Sequence, residues 1–494
     1  MEDWLSAQRN ARPDGLALAF LGRTWNYAQL DDEVNHCCRK LSCLGLEHGE
    51  ILAIHLLNSP EFVFLVHAAA RLGLVLAPIN TRLTTREIAW QLQRLGARYV
   101  LSDTLDSKDL SQMTNPCQVI SRERLWEFPD REFSSAPFDL TRLQAVIFTS
   151  GTTGSPKGVM VTFAQHFWSA LGSAFRLGIS PEDRWLSVLP LYHVGGLAVL
   201  FRSCLYGTAV SLHAGFDLDA IARDLASSPI TLISLVPTML RRMLSQSVLF
   251  PDRVRLVLLG GAAASPELLA ACAKVNLPVA ATYGLTETAS QVATQSPGAV
   301  LRKLGSVGKP LLWNQLQIQD EAGIILPPNT IGEICISGPV VMPGYWQDEL
   351  ATQAAFRNGW LHTGDLGYLD DEGDLWIVQR RTDMIVSGGE NVYPAEVEAV
   401  ISQHPAVAEV CVVGIPDAEW GQRVVSAVVL KDESCVTQEC LMEFVRLHLA
   451  GYKTPRQILF VERLPLTASG KVARREVVEL CLKRMELTGE IHVP

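Results

Sequence analysis

An α/β fold is predicted for this chain, with a long N-terminal region of alternating strands and helices, a smaller β-rich subdomain and a compact α+β tail. Three observations predict it. From about Trp25 to Val300, short β-branched, aromatic or apolar runs alternate with longer helical patterns. From Gly305 to Gln379, strand-like runs crowd together between Gly, Pro and Asp turns, and beyond Arg380 helical periodicity returns.

The elements follow in chain order. Met1-Glu2-Asp3-Trp4 is acidic where a secretory signal requires a basic start and an apolar stretch, so export is not expected and a cytoplasmic location is. Phe62 to Pro78 is interrupted by His67 and Arg71 and falls short of the roughly 20 apolar residues that span a bilayer. It reads as a buried helix running into a strand. The runs Ile51-Leu57, Tyr99-Leu101, Ala145-Phe148, Ala209-Leu212, Thr231-Leu235, Arg255-Leu259 and Pro278-Ala281 read as strands of largely parallel, buried sheets. Gln315-Gln319, Gly332-Ser337 and Asp374-Val378 read as strands of the β-rich subdomain, about 305–380. In Tyr393-Pro394-Ala395-Glu396-Val397-Glu398 a proline stands at a first helical position, with Val397, Val400 and Ile401 on one face. The expected boundaries are an N-terminal domain of residues 1–380 and a C-terminal domain of residues 381–494.

At 494 residues, with 48% hydrophobic and 19% charged residues, the chain has material for several cores. A net charge of -10 supplies no basic surface to neutralise phosphates, so neither nucleic acid nor an anionic membrane is expected as a partner. Eleven cysteines show no CxxC spacing, and the histidines show no HExxH; buried reduced thiols are expected and a structural metal is not. Self-association is left open.

The densest chemical signal is Phe148-Thr149-Ser150-Gly151-Thr152-Thr153-Gly154-Ser155-Pro156-Lys157-Gly158, directly after an apolar strand. Glycines free the backbone to turn N–H groups inward, five hydroxyls add donors and Lys157 adds a mobile charge, a composition suited to a polyphosphate. A Walker loop would place glycine at Pro156 and Ser or Thr at Gly158, so kinase-like readings weaken.

The string TSGTTGSPKG resembles the signature of the adenylate-forming superfamily of acyl-CoA synthetases, luciferases and peptide-synthetase adenylation domains. Gly260-Gly261-Ala262-Ala263, Tyr283-Gly284-Leu285-Thr286-Glu287, Thr363-Gly364-Asp365 and the tail through Ser469-Gly470-Lys471 follow in the family's order. The resemblance implies two βα-layered subdomains, a small β-barrel-like subdomain and a mobile C-terminal domain. It also implies two-step chemistry, in which a carboxylate is joined to AMP and then to coenzyme A, with ATP and Mg²⁺ required.

By that resemblance, Thr149, Ser150, Gly151, Thr152, Thr153, Gly154 and Lys157 hold the β- and γ-phosphates. Thr286 meets the α-phosphate, Glu287 holds Mg²⁺, Asp365 and Arg380 take the ribose, and Gly261, Ala262, Tyr283 and Gly284 border adenine. Lys471 serves the adenylation step, Arg381-Thr382-Asp383 forms the hinge, and Gly388, Gly389 and Glu390 line a pantetheine channel. Thr382 stands where many relatives have Asp or Lys. Read alone, Glu287 is a solvated acid, Tyr283 a core residue and the 387–391 segment a plain β-turn.

The segment Asp183 to Leu197, with Tyr192 and His193, fits the family's acyl-pocket position. That segment's continuation to Arg202, with Thr282 to Thr294 and Lys303 to Pro310, is similar to o-succinylbenzoate-CoA ligases of menaquinone and phylloquinone biosynthesis. Such a substrate keeps a second carboxylate. Arg202 is the candidate cation, with His193, Gly196, Ser290, Gln291 and Thr294 as lining; the competing reading puts Arg202 at a helix end facing solvent. The rivals are another aryl- or fatty-acid-CoA ligase, an adenylation domain serving a carrier protein, and a non-catalytic nucleotide-binding regulator.

Overall fold

The computed structural model describes residues 2–149, 156–262, 264–298, 302–379, 384–431, 436–465 and 472–487. The chain folds as two compact units: 1–81 with 89–148 and 158–379, and 82–88 with 149–157 and 380–494.

The first unit is α/β. A nine-stranded sheet runs through Val279–Leu285, Leu256–Leu259, Leu232–Leu235, Arg184–Ser187, Ala209–Leu212 and Leu16–Phe20, all mutually parallel. Runs such as LISL and LVLL are buried along their whole length, as strands covered on both faces require. A six-stranded sheet carries Ile51–His55 at its centre, beside Val75–Pro78, with Leu143–Thr149 and Lys157–Thr162 at one edge. The expected helix-into-strand is Pro60–Leu72 followed by Val75–Pro78. Ser59 caps the helix on the Phe62 N–H, Pro60 fills its first turn, and Gly73 ends it at φ +77°.

The β-rich segment is a five-stranded antiparallel sheet of Gln315–Gln319, Gly332–Ser337, Trp360–Leu369, Phe356–Arg357 and Leu375–Gln379. Gln315–Gln319 and Gly332–Ser337 match their expected bounds. One strand differs more: the run expected at Pro278-Ala281 extends to Leu285. Its second half pairs with Ser290–Thr294, a partnership that polar Thr282 and Gly284 hide from local propensity.

Asp183 ties the first unit's sheet together at its entry edge. It receives Arg255 Nε at 2.8 Å and Nη2 at 2.6 Å, Thr231 Oγ1 at 2.8 Å and the Ser180 N–H at 2.8 Å. Residues entering three adjacent strands thus share one carboxylate.

The second unit is α+β. Val407–Asp417 and Gly421–Leu430 form a long antiparallel pair, and Gln457–Phe460 joins in parallel. Val412, Val424 and Val428 pack on one side with Val397, Ile401, Leu441 and Val445. Val413, Val425 and Ala427 pack in the other cluster with Val477, Cys481 and Met485. The expected helix begins at Pro394, and of the predicted apolar face Val397 and Ile401 are buried.

No helix among the described residues is long and apolar enough to cross a membrane. The ten described cysteines are free thiols, eight of them buried.

Candidate active site

One hairpin supplies both ends of the site in the first unit. Its first strand, Val279–Leu285, brings Tyr283 and Gly284; the turn Thr286–Thr288 brings Thr286 and Glu287; the return strand Ser290–Thr294 brings Ser290, Gln291 and Thr294. The turn is tight. A Cβ on Gly284 would lie 1.5 Å from the Ser290 carbonyl oxygen, so only glycine fits. Ala289 and Ser290 both have positive φ, 46° and 96°, a strained path for non-glycine residues.

At the end expected to take the nucleotide, Tyr283 Oη donates to Asp365 Oδ2 at 2.7 Å, with both residues buried. The TGD segment is fixed by its own contacts. Thr363 Oγ1 donates to the Ile334 carbonyl at 2.7 Å and accepts the Asp365 N–H at 3.1 Å, while the Gly364 N–H, at φ +74°, donates to Glu333 Oε1 at 2.9 Å. Glu287 is buried at 5% exposure rather than solvated, and its Oε1 accepts Tyr345 Oη at 3.0 Å. A buried carboxylate offers the oxygen ligands that a hard cation takes.

At the end expected to take the acyl group, helix Val194–Tyr206 opens after His193 and carries Gly196 and Arg202. Gly196 is sterically required, since a Cβ there would meet the Pro190 carbonyl oxygen at 2.3 Å. The Tyr192 and His193 rings lie 4.7 Å apart, edge to face. Arg202 is 2% exposed, which excludes the solvent-facing reading. Its Nη2 donates to Ser169 Oγ at 3.1 Å and Ser290 Oγ at 3.3 Å. Nε has no partner, and no carboxylate pairs with the guanidinium among the described residues. Burial without an acid pushes its pKa down to about 10. The same cause, with the nearby Arg202 charge, pushes His166 down to about 3, so its ring is neutral and holds Gln144 Oε1 at 3.1 Å.

Beside Arg202 on the hairpin, Gln291 Nε2 donates to Thr294 Oγ1 at 3.1 Å and leaves Oε1 buried without a partner. Ser169 and Tyr345 escaped sequence reading. Ser169 is one polar residue within the helix Phe163–Leu177, and Tyr345 reaches Glu287 from 58 residues away, so neither has a local signal.

Thr149 ends one strand of the six-stranded sheet and Lys157 begins its neighbour; Ser150, Gly151, Thr152, Thr153 and Gly154 between them lie outside the described residues, as do Arg380, Arg381, Thr382, Asp383 and Lys471. Gly261 has φ +80° and is exposed, with Ala262 half-buried beside it. In the second unit, Gly388 and Gly389, at φ +60° and +85°, turn the hairpin between Ile385–Ser387 and Glu390–Val392, and Glu390 is buried.

The family model of the AMP-binding enzymes matches residues 5–346, and that of the AMP-binding enzyme C-terminal domain matches residues 396–471. The 2-succinylbenzoate–CoA ligase of Bacillus cereus is 40% identical over 97% of this chain and 98% of its own length. Among solved structures, a double mutant of Bacillus subtilis o-succinylbenzoate CoA synthetase, bound with its product analogue OSB-NCoA, superposes with a TM-score of 0.93 at 39% identity, covering 97% of this chain and 98% of that one. The same enzyme in complex with the acyl-adenylate intermediate OSB-AMP gives a TM-score of 0.76 at 39% identity, with the same coverage. In complex with ATP and magnesium ion it gives 0.75 at 38% identity, covering 96% and 99% of the two chains.

Proposed function

Because the chain belongs to the AMP-binding enzyme family, we propose that it joins o-succinylbenzoate to coenzyme A at the expense of ATP, by way of an acyl-adenylate. In the first step a carboxylate oxygen attacks the α-phosphorus and pyrophosphate leaves. In the second the CoA thiol attacks the acyl carbonyl, loses its proton and displaces AMP.

The observation that carries the substrate assignment is Arg202. A buried guanidinium held by two serine hydroxyls, with Nε unpartnered and no acid beside it among the described residues, is a poor structural element and a good receptor for a carboxylate. A substrate with two carboxylates can place one there and present the other for activation. The curated relatives named as 2-succinylbenzoate–CoA ligases support this choice.

The remaining assignments follow from chemistry. Two anions must approach during adenylation, so cations and fixed donors have to neutralise and align them. Lys157 and the loop 149–154 take the β- and γ-phosphates, Thr286 meets the α-phosphate, and Lys471 serves the adenylation step with a compact charge. Mg²⁺, held by Glu287, offsets charge on the phosphates when bound. Asp365, fixed by Tyr283, accepts the ribose hydroxyls with Arg380 alongside, and the backbone of Gly261, Ala262 and Gly284 borders the base. Residues 381–383 serve as the hinge, and Gly388, Gly389 and Glu390 line the path of the thiol.

The test is to incubate the protein with ATP, CoA, Mg²⁺ and a panel of o-succinylbenzoate, benzoate and fatty acids, and to identify the thioester by mass. o-Succinylbenzoyl-CoA is the expected product. Preference for a monocarboxylate overturns the assignment of the acid, and absence of any CoA thioester overturns the acceptor.

A further inference from the structure

A second cluster of chemically capable groups lies in the five-stranded antiparallel sheet. Glu333 and Cys335 are two residues apart on Gly332–Ser337 and so point to the same face. His362 on Trp360–Leu369 is the cross-strand partner of Cys335. Cys335 Sγ lies 3.5 Å from His362 Nδ1, His362 Nδ1 lies 2.8 Å from Glu333 Oε2, and one donor atom from each residue falls within 4.8 Å of the others.

We propose that Glu333, Cys335 and His362 form a binding site for a borderline divalent cation, Zn²⁺ or Co²⁺, with water as the fourth ligand. One sulfur, one imidazole nitrogen and one carboxylate oxygen make a donor set that tetrahedral zinc accepts and Mg²⁺ does not. The spacing agrees. With metal–nitrogen and metal–oxygen distances near 2.0–2.1 Å and metal–sulfur near 2.3 Å, tetrahedral edges are about 3.3–3.6 Å. The sulfur–nitrogen pair already stands at 3.5 Å. The nitrogen–oxygen pair, now a hydrogen bond, must open by about half an ångström, a movement within reach of the Glu333 side chain, which is 25% exposed and gives an ion its way in.

The protons balance. Neutral His362 carries its proton on Nε2 instead of Nδ1 when Nδ1 ligates, and Cys335 releases its thiol proton to solvent. Burial and then the Glu333 charge push that thiol up to about 12, so without a cation it is an inert buried –SH. The Gly364 N–H continues to hold Glu333 Oε1, which keeps the carboxylate turned toward the site.

The test is titration of the full-length protein with Co²⁺ alone, followed by optical absorption. We expect a sulfur-to-cobalt charge-transfer band saturating at one equivalent, displaced by Zn²⁺ and indifferent to excess Mg²⁺. The band should vanish in Cys335→Ser. In His362→Gln the cobalt affinity should fall by about tenfold or more, since even outer-shell changes at metal sites cost about that much. Absence of a one-equivalent sulfur band in the parent protein overturns the proposal, as does a band that persists unchanged in both variants.

Discussion

Tyr283 Oη and Asp365 Oδ2 meet at 2.7 Å across 82 residues of sequence, joining the strand that enters the active-site turn to the TGD segment. The hydroxyl aims a buried carboxylate, the group proposed to accept the ribose hydroxyls.

Tyr283→Phe therefore removes a donor from a buried acceptor, a loss of about 1–3 kcal/mol. The Michaelis constant for ATP should rise by about tenfold, as a loss near 1.4 kcal/mol gives, with a smaller change in kcat. Steady-state kinetics at varied ATP check this; an unchanged ATP constant removes Tyr283 from the nucleotide site.

Arg202→Met separates recognition from stability. Loss of a buried charged contact to substrate should lower kcat/KM for o-succinylbenzoate by about 100-fold or more. The thermal midpoint should not fall, because the guanidinium has no acid partner among the described residues and burial depresses its pKa to about 10. A variant that loses activity and melting temperature together would make Arg202 a structural residue.

Asp183 supplies a pH test. Burial alone would raise its pKa, but the Arg255 hydrogen bonds, the Ser180 N–H and the Thr231 hydroxyl outweigh that and hold it below the ordinary aspartate value. A depressed folded pKa contributes stability that is present above the unfolded value and is lost as pH falls through the folded one. Asp183→Asn should accordingly be less stable than the parent by about 2–4 kcal/mol at neutral pH. Urea melts should show the gap narrowing below about pH 4, and a gap independent of pH would contradict the assignment.

Lys471→Ala should abolish acid-dependent ATP–pyrophosphate exchange while leaving ATP binding by calorimetry largely intact. Equal exchange in variant and parent would discard the role proposed for this lysine.

The legible parts of the fold were those with a local cause. Phe62 to Pro78 declared a buried helix and strand through composition and through Ser59, Pro60 and Gly73, which the structure uses as cap, first turn and stop. Gln315–Gln319 and Gly332–Ser337 declared themselves by alternation and turn residues. Tertiary pairings were another matter. Arg202 was ambiguous because a polar residue near a helix end is usually at the surface, and only packing of the whole helix buries it. The Cys335–His362 pairing spans 27 residues and exists through sheet register alone, so motif spacing could not expose it.

Gly284, Ala289 and Ser290 make one short turn serve both proposed binding regions, since the strand that carries Tyr283 to Asp365 returns as the strand that offers Ser290 to Arg202. For anyone redesigning acid preference, the helix and the turn are unequal starting points. Changes on the helical side, at Ser169 or Arg202, can be screened one at a time with ATP usage as an independent control. On the proposed assignments, changes in the turn should alter both readouts together, so libraries placed there would confound altered selectivity with damaged nucleotide handling.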